Sequence, residues 1–241
     1  MKISTWNIGE DERYEDCKLT MDSYKYIIDT IEKEEIDIVC LQEAITSSDT
    51  LPTIASYIKK NTDLKYNIEY ELSDSHINIG SKMGVVICSK YEISNYELLP
   101  LENPHLVYSK NENTTYYSHD KGFIIANIKN LTIITGHCLP FHAFKKDILE
   151  YLFIYEKADK VFEELFKNNN AILCGDFNYD NIPIIFPNTM KLGIDCIQCP
   201  TRKDKQLDHF IISKNIKCQN SEVIENPFDH KLGIFEIQEI L

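Results

Sequence analysis

Asp176 and Asn178, set in Gly175-Asp176-Phe177-Asn178, are the residues whose types and spacing speak most directly of chemistry. Two positions apart on an extended chain, a carboxylate and an amide point to the same side, while Phe177 between them points back toward a core. One anionic oxygen beside one amide donor suits a hard cation, a water or a phosphate oxygen. The apolar run Ala171-Ile172-Leu173-Cys174 before them reads as an interior strand of an α/β core, and the carboxyl ends of such strands carry the sites of these folds. Gly, Asp and Asn also dominate ordinary turns, so the tetrapeptide alone supports a plain strand-ending turn equally well.

Other strand ends carry similar residues. Thr5-Trp6-Asn7 closes one strand with an amide, and Leu41-Gln42-Glu43 closes another with a carboxylate. Gly136-His137 follows an apolar strand, Leu207-Asp208-His209 opens one, and Phe228-Asp229-His230 precedes the last. Each has a bland reading: Asn7 as a turn residue, Glu43 as a helix cap, His137 as a satisfied core histidine, Asp208 as a salt-bridge partner. Their recurrence at successive strand ends is harder to dismiss and points to one shared site.

The elements that must position them alternate along the chain. Strands are predicted over residues 2–6, 36–41, 66–71, 84–89, 121–128, 131–137, 206–213, 216–224 and 232–237, with a hairpin turning at Lys129-Asn130. Helices are predicted over residues 24–34, 48–60 (after a Ser/Asp cap) and 144–166, the last with a stripe through Ile148, Leu152, Tyr155, Phe162 and Leu165. The Asn-rich stretch from Asn103 to Tyr117 reads as a long loop. No repeat, low-complexity tract or composition shift marks a linker, so residues 1–241 are expected to form a single domain.

Composition bounds the function. No apolar run approaches the roughly 18 residues needed to span a bilayer, which predicts a soluble protein without membrane insertion. Met1-Lys2-Ile3-Ser4-Thr5-Trp6 enters a strand pattern directly, which predicts an intracellular, cytoplasmic or nuclear, location. Of the eight cysteines, Cys40, Cys88 and Cys174 sit in apolar runs, so reduced thiols are expected; Cys196 and Cys199 form a solitary C-x-x-C with no second pair at zinc-site spacing. The net charge of −13 and the presence of only two arginines, Arg13 and Arg202, argue against a grip on long duplex nucleic acid. A small, terminal or single-stranded substrate fits better, and gathered acidic side chains attract divalent cations.

In the order Thr5-Trp6-Asn7, Leu41-Gln42-Glu43, Gly136-His137, Gly175-Asp176-Phe177-Asn178, Leu207-Asp208-His209 and Asp229-His230, the chain resembles the endonuclease/exonuclease/phosphatase superfamily, also called DNase I-like. The resemblance runs from residue 5 to 230. It implies a four-layer α/β sandwich, two mixed β-sheets packed face to face with helices outside, and metal-dependent hydrolysis of phosphate esters. On that resemblance Glu43 binds Mg²⁺ or Mn²⁺, and Asn7 and Asp229 complete or orient the shell. Asp176 positions or deprotonates water, Asn178 holds the water or a phosphoryl oxygen, and His137 donates to phosphoryl oxygens. His230 is a second candidate base with Asp208 fixing its tautomer, and the sequence leaves the choice between Asp176 and His230 open.

The residue before Asp229 is generally small in the superfamily, and here it is Phe228. Lys121 and Tyr117 are candidates for a mid-chain phosphate contact, with a solvated lysine as the alternative reading of Lys121. His142 is placed at the substrate entrance, whereas His76, His105 and His119 fall in expected loops with no constellation. The fold does not choose a substrate. A nuclease or DNA-end-processing phosphodiesterase is the first expectation, with weak similarity of Thr5-Trp6-Asn7-Ile8 to tyrosyl-DNA phosphodiesterases. A phospholipid or inositol-phosphate phosphoesterase comes second, and a catalytically silent binding module of the same fold third. A monomer is expected, with nucleic acid or another phosphodiester as its substrate partner.

Overall fold

Runs of buried β-branched residues alternate with capped amphipathic segments, and the result is two six-stranded mixed sheets packed face to face. The computed structural model describes residues 1–111 and 114–238. The first sheet has the order β13 (Cys218–Ile224), β14 (Leu232–Ile237), β1 (Lys2–Asn7), β2 (Ile38–Ser48), β4 (Ser81–Ser89), β3 (Tyr66–Asp74). The second runs β11 (Gly193–Asp195), β12 (Asp208–Ser213), β10 (Ala171–Asp176), β9 (Leu131–His137), β8 (Gly122–Ile128), β5 (Ile93–Pro100). Ile3, Ile38, Val85, Ile87, Ile124, Ile133, Ile172 and Phe210 fill the space between the sheets. Helices α1 (Met21–Lys33) and α2 (Ile54–Asn61) cover the outside of the first sheet, and α3 (Phe153–Asn168), α4 (Ile182–Ile185) and α5 (Pro187–Leu192) cover the second. This is the four-layer sandwich expected from the sequence.

Local chemistry sets the element ends. Thr20 and Ser23 form a reciprocal capping box that starts α1, whose Tyr24, Ile27, Ile28 and Ile31 face the sheet. The helix expected over residues 48–60 begins later. Ser48 still belongs to β2, where its Oγ accepts from the backbone of Thr50 and Leu51, and Thr53 caps α2 instead. The helix expected over residues 144–166 is also shorter at its start. Two 3₁₀ turns, Phe141–Phe144 and Ile148–Tyr151, precede α3, separated by Lys145 at φ +55°, a left-handed conformation that no helix continues through. The expected loop of residues 103–117 instead carries a two-stranded hairpin, β6 (Val107–Asn111) and β7 (Thr114–Tyr117); residues 112 and 113 lie outside the described residues. All eight cysteines are free. No helix among the described residues is long and apolar enough to cross a membrane.

Strand direction brings the candidate residues to one edge. β1 runs parallel to β2, so Asn7 pairs in register with Gln42, and β9 runs parallel to β10. Asp176 at the end of β10 pairs in register with His137 on one side and with Asp208 of antiparallel β12 on the other. One residue earlier, Gly175 (φ +142°) and Gly136 touch so closely that a Cβ on Gly175 would lie 2.1 Å from the Gly136 carbonyl oxygen. Glycine is required there for the strands to come together.

Candidate active site

His137, Asp176 and Asp208 stand side by side because their strands are in register, and all three are buried. The opposite sheet contributes Asn7, whose Nδ2 donates to Asp176 Oδ2 at 2.9 Å and whose Oδ1 accepts from Gly9 N at 3.0 Å. Beneath this contact a second tie joins the sheets, from Gln42 Nε2 to Thr135 Oγ1 at 3.1 Å. Asn178 reaches the same place by a different route from the expected extended alternation. It sits at φ +53°, a turn conformation asparagine tolerates, and its backbone N–H donates to Asp176 Oδ1 at 2.9 Å. Its Nδ2 lies 3.0 Å from His137 Nε2 and donates to the Cys138 carbonyl. Phe177 is fully buried as expected, stacked on His209, which bonds Asp195 at 2.6 Å and the Tyr179 carbonyl at 2.9 Å and so braces the turn.

The His230 ring lies beside Asp208, Nδ1 to Oδ2 2.7 Å, with its Nε2 3.7 Å from Asp176 Oδ2 and 3.9 Å from Asp229 Oδ2. Burial alone pushes the imidazole toward neutrality, but the carboxylates of Asp208, Asp176 and Asp229 outweigh it and raise its pKa to about 10. His230 is therefore a cation at neutral pH. Burial raises Asp176 to about 6, against the pull of His230. His137 moves the other way: burial, then the neighbouring Lys121 charge, holds it well below the usual histidine range, so its ring is neutral. Among the described residues, Asp176, Asp208 and His230 present atoms within 4.8 Å of one another, close enough to share a metal ion.

Glu43 was expected to close its strand, but β2 continues to Ser48. The carboxylate sits at a bulge between Leu41 and Ala44, at φ +52°, and the bulge turns it out of the ladder toward the cleft. Its Oε1 is 3.6 Å from His137 Nε2. Gly9 lies against it with no room to spare: a Cβ there would fall 2.1 Å from Glu43 Oε2. Asp229 is paired with Arg202 at 2.5 Å, and burial nevertheless raises its pKa to about 7. The large Phe228 before it packs edge-to-face on Trp6 with ring centroids 5.1 Å apart, so its bulk goes into the core beneath the site.

His137, Asp176, Asn178, Asp229 and His230 line a cleft of about 650 Å³, together with Glu10, Glu43, Lys121, Tyr117 and His142, whereas Asn7 and Asp208 do not line it. Lys121 is not solvated. It is buried, with Nζ 2.9 Å from His137 Nδ1. Contrary to expectation, His76 and His119 also line the cleft, their rings 6.0 Å apart, with His76 3.9 Å from Glu10; His105 does not line it. Glu10, Arg202, His76 and His119 carry no signal in the sequence because they arrive from loops with no periodicity, although Arg202 is one of only two arginines.

Comparison with known proteins agrees with this architecture. A mannosyl-6-phosphatase from Bacteroides thetaiotaomicron VPI-5482 superposes with a TM-score of 0.64 at 14% identity, covering 99% of this chain and 100% of that one. A Neisseria 3′ phosphatase bound to a product DNA hairpin gives a TM-score of 0.65 at 15% identity, covering 99% and 100%. The human Nocturnin catalytic domain gives 0.67 at 13% identity, covering 99% and 93%. A search of curated proteins returns no match. The family model described as "Endonuclease/Exonuclease/phosphatase family" matches residues 4–229, nearly the whole sequence. With the two-sheet sandwich, that match establishes that the chain belongs to the endonuclease/exonuclease/phosphatase family, whose members hydrolyse phosphoester bonds.

Proposed function

We propose that the chain is a divalent-metal-dependent phosphodiesterase that cleaves nucleic acid, most readily near an end, by in-line attack of water on phosphorus. The observation that carries this reading is the pair at the cleft floor, a buried Asp176 carboxylate 3.7 Å from a His230 ring held as a cation by Asp208. One group is suited to take a proton near neutral pH, and the other to meet negative charge. An imidazolium that keeps its proton at neutral pH is a poor base there, so Asp176, with its pKa raised toward neutrality, is assigned the proton of the attacking water. Asn178, fixed by its own turn, holds that water or a phosphoryl oxygen. His230 faces the charge building on the phosphoryl group, and the neutral His137 ring offers it one N–H.

The donor set fits a hard dication. Glu43, Asp229 and the Asn7 amide oxygen are hard oxygen ligands, and burial raises Asp229 against the pull of His230 and Arg202, so a dication beside it would favour its ionised form. Asp208, bonded to His230 at 2.7 Å, does not line the cleft, whereas Glu43 does and so does Asp229, which a metal would share with Arg202; this argues for the Glu43 side of the cleft as the metal position. A bound Mg²⁺ or Mn²⁺ supplies Lewis-acid stabilisation of charge on the phosphoryl and leaving oxygens.

A hydrolysis panel with and without EDTA tests the reading. It covers single-stranded and duplex DNA, RNA, a 5′-tyrosyl oligonucleotide, sphingomyelin and inositol polyphosphates. Turnover of an oligonucleotide, lost in EDTA and restored by Mg²⁺ or Mn²⁺, is the expected result. Turnover confined to sphingomyelin or inositol phosphates moves the assignment to those head groups. No turnover, with no Mg²⁺ binding by calorimetry, makes the chain a silent binding module. Gly9→Ala provides an internal check. Its methyl group displaces the Glu43 carboxylate, so kcat/KM in Mg²⁺ is expected to fall about 10- to 100-fold with an unchanged far-ultraviolet dichroism spectrum.

A further inference from the structure

The cleft is poor in spare positive charge. Two of the chain's Lys and Arg side chains line it, and both are committed: Lys121 is buried against His137, and Arg202 is paired with Asp229. Glu10, Glu43, Asp176 and Asp229 line the same cleft. His230 adds a third cation, bonded to Asp208 at 2.7 Å and facing the reacting phosphate; four carboxylates against three engaged cations leave no track for a run of phosphates on either side of it. Whatever holds the rest of a substrate must do so without charge.

The β6–β7 hairpin supplies such a surface. It stands outside both sheets and presents Thr115, Tyr116 and Tyr117 to the cleft. Tyr117 is 64% exposed, and among the described residues its ring has no aromatic or hydrogen-bonding partner. Yet the hairpin beneath it is firmly built. At its root Leu106 and Ser118 bond each other twice, through Ser118 Oγ to Leu106 N–H (2.8 Å) and Ser118 N–H to the Leu106 carbonyl (2.9 Å). Asn103 clamps the same point, accepting from Ser118 Oγ at 2.6 Å and donating to Asp120 at 2.8 Å. Tyr108 stacks on Tyr116, and the Lys145 ammonium lies 4.7 Å from the Tyr108 ring centroid. Tyr117, His119 and Lys121 follow one another along the chain and all line the cleft. An unpartnered, exposed aromatic ring beside a hydrogen-bonded root at the mouth of a site is a surface open to a ligand.

We infer that this hairpin is a stacking platform for the nucleobase adjoining the scissile phosphate, with Tyr117 the ring on which the base lies. The inference rests on the phosphodiesterase reading above and narrows its substrate to unpaired nucleic-acid ends. A base inside a duplex has both faces occupied by its neighbours and a terminal pair offers only its outer face, so an unpaired base is the one best able to lie on the ring. Stacking of this kind is indifferent to base identity, and it needs no cation beyond those at the reacting phosphate.

The test compares an octathymidylate with an octamer of abasic tetrahydrofuran residues of identical phosphate spacing, using the full chain in Mg²⁺. Wild-type kcat/KM is expected to favour the base-bearing strand by about 10- to 100-fold. Tyr117→Ala brings that ratio close to one, and Tyr117→Phe keeps it. A second readout does not require catalysis: in EDTA, an oligonucleotide carrying 2-aminopurine is quenched on binding wild type and left bright by Tyr117→Ala. Equal wild-type rates on the two octamers, a preference for duplex over single strand, or faster turnover of sphingomyelin vesicles overturns the inference while leaving a phosphoesterase in place. Failure to cleave any phosphodiester removes both the inference and the reading beneath it.

Discussion

An Asp208→Asn protein is expected to stay folded and to lose about 10³- to 10⁴-fold in kcat, the scale seen when the carboxylate of a His-Asp pair becomes an amide. The Asp208 Oδ2 to His230 Nδ1 contact of 2.7 Å does two things. It fixes the ring so that Nε2 points at Asp176, and its charge is the largest influence holding the proton on a buried imidazole. An amide at this position still fits the space, and the Thr201 hydroxyl still accepts from the backbone of Leu207 and Asp208, so the strand end keeps its place. What disappears is the charge. Burial then dominates and pushes His230 down. If His230 acts as a cation, activity requires the protonated ring and fails as pH rises through its pKa. In the wild type that limb lies near pH 10; in the variant it moves toward or below neutrality. Profiles of kcat between pH 6 and 10 for the two proteins check this. A variant within tenfold of wild type, with an unmoved alkaline limb, would show that His230 has no part in the chemistry.

The parts of this molecule legible in the sequence are those governed by local rules. Interior strands such as Ala171–Asp176 announce themselves as apolar runs, and α1 announces itself by its helical pattern, although its Thr20 cap starts it at Met21, three residues before the expected start. Because parallel neighbours end at a common edge, the polar residues at their termini group together on sequence alone. What stayed hidden depends on distant partners. The bulge that aims Glu43 exists because β4 pairs unevenly with β2, which no pattern within β2 reveals. The β6–β7 hairpin mixes Val107 and its tyrosines with Ser, Lys and Thr and lies outside the two sheets, so its sequence carries no clean hydrophobic alternation. His76, His119 and Glu10 meet only because the β3–β4 connection, the segment before β8 and the loop after β1 fold over the same cleft. Lys121 misled in the opposite sense: lysine composition predicts solvent, and the structure buries it against a neutral histidine.

The same charges that suit the site to catalysis set how the metal-free protein responds to pH. His230 has a folded pKa of about 10 against 6.5 for an ordinary histidine. Between those values the folded protein keeps a proton that the unfolded chain has released. The stability it contributes is therefore complete below pH 6.5 and is lost as pH rises through 10. His76, raised by its bond to Glu10, acts in the same direction. The histidines held low, His137, His119 and His142, work oppositely, but their effect is finished once pH exceeds that of an ordinary histidine. Asp176, raised to about 6, has largely titrated by neutrality, whereas Asp229, raised to about 7, is half-titrated there and adds a smaller fall in the same direction as His230. Buried thiols such as Cys40 and Cys138 keep their protons on folding, and this matters only as pH nears 9.0, where the unfolded thiols ionise. The interval from pH 7 to 8 thus belongs chiefly to His230. Stability of the protein in EDTA is expected to fall across it by about 1.4 kcal/mol, the effect of one proton held by the folded chain and not by the unfolded one. A dication held by Glu43 and Asp229 competes with protons for the same cleft, so its affinity and its stabilising effect grow with pH. The rise in Tm on adding Mg²⁺ should accordingly be larger at pH 8 than at pH 7. Asp208→Asn should flatten the metal-free slope, because its histidine has already lost the proton at pH 7. Thermal melts of both proteins, with EDTA and with Mg²⁺, measure all three quantities. A wild-type Tm that is level from pH 7 to 8 in EDTA would remove the buried cation from the account of this site.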